Sequence, residues 1–168
     1  MRPGHSAAVQ RPVTTGPIAV IGLGDPSRPD QAVGIRVVRA LRGRVPPDVI
    51  LLEDGDPLTM LEQWEKFGTV ILVDAVRSGS PLGTVQVFDG RHLPPLVRAG
   101  ILGSHGFSMR EIIGVGEALG TLSQVVRVIG IEDPEFRPGL PLAPEVEVSV
   151  PAALKVVLEQ IALVRGGG

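Results

Sequence analysis

The chain has no cysteine and no tyrosine, one tryptophan and four phenylalanines. Without cysteine there is no disulfide, no thiolate metal site and no cysteine nucleophile, so any metal must be met by nitrogen and oxygen donors. Few aromatic rings and a formal net charge of −2 leave neither stacking platforms nor a basic stripe, and no nucleic-acid partner is expected. No run approaches the roughly 18 consecutive apolar residues of a membrane span. The opening MRPGHSAAVQRPVTTG lacks the apolar stretch of a signal peptide, so the expectation is a cytoplasmic protein without membrane contact.

What is present is the composition of a folded domain. Of 168 residues, 43% are hydrophobic and 20% charged, outside the disordered range. At about 100 to 200 residues per domain this length suits one domain. It is taken as residues 17–165, with residues 1–16 expected to form a disordered N-terminal extension and the closing GGG to fray.

The hydrophobic pattern alternates between two periods. Residues 18–23, 49–52 and 69–73 are short continuous apolar runs rich in Val and Ile, as in strands buried on both faces of a parallel sheet. Between them, residues 32–41 place Val33, Val37, Val38 and Leu41 on one helical stripe, and residues 58–67 do the same with Leu58, Leu61, Trp64 and Phe67. A fourth strand, residues 83–88, follows the turn SGSPLG too closely for a crossover helix and is expected to pair antiparallel as an edge. Residues 90–103 read as a proline-bearing loop, 108–119 as a helix, 124–131 as a strand, and 144–164 as a final helix interrupted or entered at Pro151. The fold class is therefore α/β: three layers, α/β/α, around a twisted, mostly parallel five-stranded sheet with one antiparallel edge strand, like the phosphorylase/hydrolase folds.

In such a sheet ligands bind at the carboxyl ends of the strands. There the sequence delivers Asp25, Asp30 and Gln31 after the first strand, Glu53, Asp54 and Asp56 after the second, Asp74 after the third, and His105 before the third helix. Each has a structural reading beside the functional one. Asp30 can be the N-cap of the first helix, Gln31 an exposed first-turn residue, Asp56 a turn or solvated residue, and His105 a surface or capping histidine. Asp74 is sharper: it ends the strongest strand, TVILVDA, where burial makes an unpaired charge costly and a partner or metal explains it better. A dinucleotide loop is disfavoured because the third glycine of G-x-G-x-x-G falls on Ser27, and Pro26 and Pro29 stiffen a loop too long for the tight turn. No G-x-S-x-G, H-E-x-x-H or phosphate-loop motif is present. What remains is a carboxylate and imidazole set suited to a borderline divalent ion such as nickel, zinc or manganese.

The stretches IAVIGLGDPSRPDQAVGIRVVRAL, EDG, VDAVRSGSPLGTV, SHGFS and VIGIEDPEFRPGLPLAPEV, with the closing amphipathic helix, carry a family resemblance. In order and spacing, over about residues 17 to 164, the chain resembles the hydrogenase maturation endopeptidases that process the large subunits of NiFe hydrogenases. The resemblance implies the same fold class. It also implies an aspartic-type endopeptidase that recognises nickel already installed in the large-subunit precursor and removes a short C-terminal extension. The partner is then that precursor. No tightly bound cofactor is implied, since the nickel belongs to the substrate and is met transiently. The implied metal contacts fall on Gln31, Asp74 and His105, and a further residue important for cleavage falls on Asp54, so that Asp54 and Asp74 are the catalytic candidates.

Two positions depart from the family pattern. Asp25 stands where Asn is usual after G-x-G, and Gln31 stands where a carboxylate ligand is usual. Glutamine coordinates through its amide carbonyl but brings no charge and holds a divalent ion less strongly; Asp25 or Asp30 could restore the charge. With no nucleophile motif, amide hydrolysis would use an activated water, oriented or deprotonated by Asp54. In one variant the nickel is only a recognition handle and carboxylates alone carry the chemistry. The other class of function is a non-catalytic maturation checkpoint that docks on the large subunit without cutting it.

Overall fold

A computed structural model describes residues 15–99, 101–102, 107–135 and 139–166. All but two residues of the expected N-terminal extension lie outside the described residues. In chain order the elements are β1 (Ile18–Leu23), a 3-10 turn (Pro29–Gln31), α1 (Val33–Leu41), β2 (Val49–Asp54), α2 (Pro57–Trp64), β3 (Thr69–Arg77) and β4 (Val85–Asp89). A second 3-10 turn (Gly90–His92) leads to β5 (Arg98–Ala99), β6 (Ile101–Leu102), β7 (Phe107–Ser108), α3 (Met109–Leu119), β8 (Val125–Glu132), α4 (Pro144–Val148) and α5 (Val150–Arg165).

The sheet has the expected five-stranded path, in the order β2-β1-β3-β8-β4. The first four strands are parallel and β4 runs antiparallel to β8 at the edge. Apolar runs without polar alternation are what this arrangement demands, because helices cover both faces. Ile18, Val20, Ile71, Val73, Ile129 and Ile131 pack on one side with Val37 and Val38 of α1 and Val157 and Ile161 of α5. Ala19, Ile21, Leu23, Val70, Leu72, Val126 and Val128 pack on the other with Met60 and Trp64 of α2 and Met109 and Ile112 of α3. Each fully buried Ile, Leu or Val contributes about 1.5–3 kcal/mol relative to exposure, so the two faces together hold the layers.

Several expectations are corrected. β3 continues four residues past Val73, so Asp74 lies within a strand and not beyond its end. Leu58 is 68% exposed, because α2 starts at Pro57 and turns Met60 and Trp64, four apart, toward the sheet. Residues 90–103 are not simply a loop: β5 adds a sixth, two-residue strand, antiparallel to the end of β3 through Val76↔Ala99, and β6 pairs with β7. The final helix is two, α4 and α5, divided at Ser149 with Pro151 in the first turn of α5, where its missing N–H costs nothing. Among the described residues no helix is long and apolar enough to cross a membrane.

One contact fixes how closely α1 lies on the sheet. A Cβ on Gly34 would sit 2.1 Å from the Val73 carbonyl oxygen, and one on Gly22 would sit 2.3 Å from the Gly34 carbonyl oxygen. Helix and strand backbones touch here, which only glycine on both sides permits. The glycines of GLGDPSRPDQAVG thus serve backbone packing, and they press the start of α1 against the residue before Asp74.

Candidate functional site

The carboxyl edge of the parallel strands gathers the acidic residues. Leu23 pairs with Asp54 across β1 and β2, and Gly22 pairs with Val73 across β1 and β3. Asp54, Leu23 and Asp74 therefore stand level on three adjacent strands, the two aspartates two strand spacings, about 10 Å, apart at Cα. By alternation both project to the face covered by α2 and α3, Asp54 with Leu52 and Asp74 with Leu72.

Asp54 is half-buried, and the Asp56 N–H donates to its Oδ1 at 2.7 Å. Burial pushes its carboxyl above the ordinary aspartate value; the Asp56 N–H opposes this and the Asp56 carboxylate adds to it. Asp56 itself is the N-cap of α2, accepting from the Leu58 N–H at 2.9 Å, a structural role. Asp74 is partly buried, and the Ala75 N–H donates to its Oδ1 at 2.8 Å.

The first loop crosses this edge from the α1 side. Gly24, at φ 142°, would put a Cβ 2.3 Å from that of Ala32, so the two ends of the loop close on each other. Asp25 is engaged locally: its Oδ1 accepts from the Ser27 hydroxyl at 2.7 Å and the Ser27 N–H at 2.9 Å, which hold its carboxyl below the usual range. Asp30 does not cap α1. The N-cap is Ala32, with no side-chain cap, because the Pro29–Gln31 turn carries Asp30 outward while its carbonyl accepts from the Leu142 N–H at 3.0 Å. Gln31, next in the turn, is partly buried. Arg39 fastens the loop to β2: its Nε and Nη2 donate to Glu53 at 2.8 and 2.9 Å, and Nη2 also to the Pro26 carbonyl at 3.0 Å. These bonds, joined by one from Arg42, hold the Glu53 carboxyl below its ordinary value.

Other groups at this edge escaped the sequence reading. Glu132, buried at the end of β8, accepts from the Ser78 hydroxyl at 2.6 Å and from the backbone N–H groups of Ser78 and Gly79, and so fixes the turn after β3. Asp133 follows it, buried, its carboxyl raised chiefly by burial. The signal was available: Glu132 and Asp133 follow an apolar run in the sequence, as Asp74 does. His105 lies outside the described residues. Among the described residues no group of three or more His, Asp or Glu is placed to hold a metal ion. A cavity of about 610 Å³ opens elsewhere, between Phe67, Leu122 and Gln124 at the amino ends of the strands, away from the carboxylates.

Comparison with known proteins adds the following. The family model HycI, described as hydrogenase maturation protease, matches residues 35–160. The hydrogenase 2 maturation protease of Escherichia coli K12 is 26% identical over 146 residues, covering 84% of this chain and 88% of that protein. The hydrogenase expression/formation protein HupD of Thiocapsa roseopersicina is 26% identical over 149 residues, covering 86% of this chain and 67% of its own. Among solved structures, the hydrogenase maturating endopeptidase HybD of Escherichia coli superposes with a TM-score of 0.68 at 24% identity, over 86% of this chain and 91% of that one. The maturation protease HycI of Thermococcus kodakarensis gives 0.64 at 20% identity, over 89% and 92%. These two likenesses concern the fold.

Proposed function

The chain belongs to the hydrogenase maturation protease family, and on that footing we propose that it is the endopeptidase that removes the C-terminal extension from the precursor of a NiFe hydrogenase large subunit, using the precursor's nickel as a handle. The observation that carries this reading is the alignment of Asp54 and Asp74 across β1, with the first loop packed over the same edge. The nickel is substrate: the precursor supplies most of its ligands, and Gln31, Asp74 and His105 offer an amide oxygen, a carboxylate and an imidazole, a donor set that suits a borderline divalent ion. Three groups, one neutral, make a weak open site to which the precursor would add the remaining ligands.

Asp54 is the base in this reading. Its raised proton affinity suits a group that takes a proton from the attacking water. Asp74 would position the segment through the metal. These two carboxylates support a reading in the aspartic class.

The test is a cleavage assay on nickel-loaded and nickel-free precursor, read as a mobility shift of the large subunit. The reading expects the parent protein to process only the loaded form and Asp74→Asn to stay folded without processing it. Processing that ignores nickel removes the handle, and unchanged processing by Asp74→Asn removes Asp74 from the site. Tight binding of the precursor without cleavage would identify a non-catalytic checkpoint, the outcome that the neutral Gln31 favours.

A further inference from the structure

Arg110, in the first turn of α3, donates to three backbone carbonyls of one short segment: from Nη1 to Leu93 at 2.9 Å, and from Nη2 to Pro94 at 2.7 Å and Val97 at 3.1 Å. Leu93 and Val97 are themselves buried against the α2/α3 face, and the Val97 N–H returns to the Pro94 carbonyl at 3.0 Å. Residues 93–97 form a strap pinned by two apolar anchors and one guanidinium. The strap runs directly into β5, which lies antiparallel on β3 through Val76↔Ala99 and Arg77↔Arg98, two and three residues beyond Asp74. From β5 the chain passes through β6 and β7 and returns to α3, where Ser108 and Glu111 form a reciprocal capping box. The residues joining β6 to β7 include His105.

Arg110 thus ties the entry of this excursion, the strap, to its exit, the start of α3. The three carbonyls lie outside the sheet ladder, Pro94's accepting from the Val97 N–H as well, and a planar guanidinium meets them in one fixed geometry that a lysine ammonium on a flexible stem does not reproduce. Nothing in this contact touches the carboxylate edge directly. We infer that Arg110 is a positioning residue for peptide cleavage: by clamping residues 93–97 to α3 it holds β5 on the end of β3, and so fixes the backbone that follows Asp74. This inference rests on the proposed role of that edge in cleavage.

Steady-state cleavage of nickel-loaded precursor by the parent, Arg110→Lys and Arg110→Ala tests it, alongside amide hydrogen exchange of the three unliganded proteins. Displacing reacting groups by about an ångström costs up to a hundredfold in rate, so Arg110→Ala should lower kcat by about ten- to a hundredfold. KM should stay within about twofold, because the residue holds groups that react and not the precursor. Arg110→Lys, with fewer fixed donors, should fall between. The Arg98 amide, which faces β3 in the Arg77↔Arg98 pair, should exchange at least about tenfold faster in Arg110→Ala, while amides of β1 and β8 keep the parent rate. A parent-like kcat in Arg110→Ala, or a rise in KM alone, overturns the inference. So does parent-like exchange at Arg98, or faster exchange throughout the sheet, which would show a general loss of stability. If the parent itself cuts nothing, the proposed function fails, and the exchange at Arg98 still decides whether the clamp exists.

Discussion

Replacing Gly34 by alanine perturbs the one place where helix and sheet backbones touch. The added Cβ would lie 2.1 Å from the Val73 carbonyl oxygen and 2.8 Å from the Leu23 nitrogen, more than an ångström inside ordinary contact. Both obstacles are backbone atoms of central strands, each held by ladders on two sides, so neither can swing away as a side chain would. Overpacking costs about 1–3 kcal/mol when side chains can adjust, and the upper end or more applies here. Alanine regains at most about 1 kcal/mol of helix propensity. The net loss is about 2 kcal/mol or more, which for a chain of this size lowers Tm by about 4–8 °C. Gly114 provides the internal control, because it lies in α3 and a Cβ there meets nothing within 4 Å. Gly114→Ala should therefore gain about 0.5–1 kcal/mol and raise Tm by about 1–4 °C. Urea unfolding of the three proteins, compared at equal slope, measures both differences. A Gly34→Ala protein as stable as the parent would refute the close approach, and with it the argument that glycine at both positions sets the first loop against the end of β3.

Three further outcomes follow from the site. If Asp54 is the base, kcat/KM should fall on the acid side along a limb lying above the ordinary aspartate value of about 3.9, because burial raises this carboxyl and only its ionised form accepts a proton. The stability effect has the opposite sign: a carboxyl whose folded value is raised favours the fold below its unfolded value and loses that contribution as pH rises through the folded one. A limb at or below the ordinary value, from a pH-rate profile, would dismiss Asp54 as the base. Gln31→Glu should strengthen binding of cadmium or zinc as a probe ion and Gln31→Ala should weaken it, modestly at an effective dielectric of roughly 20, while the outward Asp30→Asn stays silent. Calorimetric titrations that leave all three like the parent would take the first loop out of the site. Arg39→Ala should cost about 1–2 kcal/mol, since it strips two hydrogen bonds from a Glu53 side chain only 12% exposed. Arg36→Ala opens an ion pair exposed at both ends and should cost under about 1 kcal/mol, both read by the same urea unfolding.

Read by themselves, the residues specify the layers. The unbroken apolar runs at Ile18 and Thr69 require helices on both faces, whereas the similar run from Val49 proves to be the edge strand β2 with Ile50 exposed; the stripe from Val33 to Leu41 says which side of α1 is covered, and a turn as short as SGSPLG forces β4 to come back antiparallel. Composition alone excluded thiolate chemistry and stacked bases, and the charge at the end of TVILVDA marked Asp74 before any fold was known. Such inferences hold because each concerns one element and the environment its periodicity demands. What only the tertiary structure decided is relational. That Asp54 and Asp74 stand level with Leu23 between them depends on the register of three strands drawn from distant parts of the chain. That Gly34 must be glycine depends on the Val73 carbonyl, which no local pattern announces. β5 is two residues long, too short for any period, and exists because the end of β3 extends beyond β1 and offers it a ladder. Asp30 has the side chain of a helix cap and does not cap, because two prolines turn the loop before α1 begins. Periodicity reports which face an element buries; register, close approach and chain direction are set by pairs of residues, and pairs are defined only when the chain has folded.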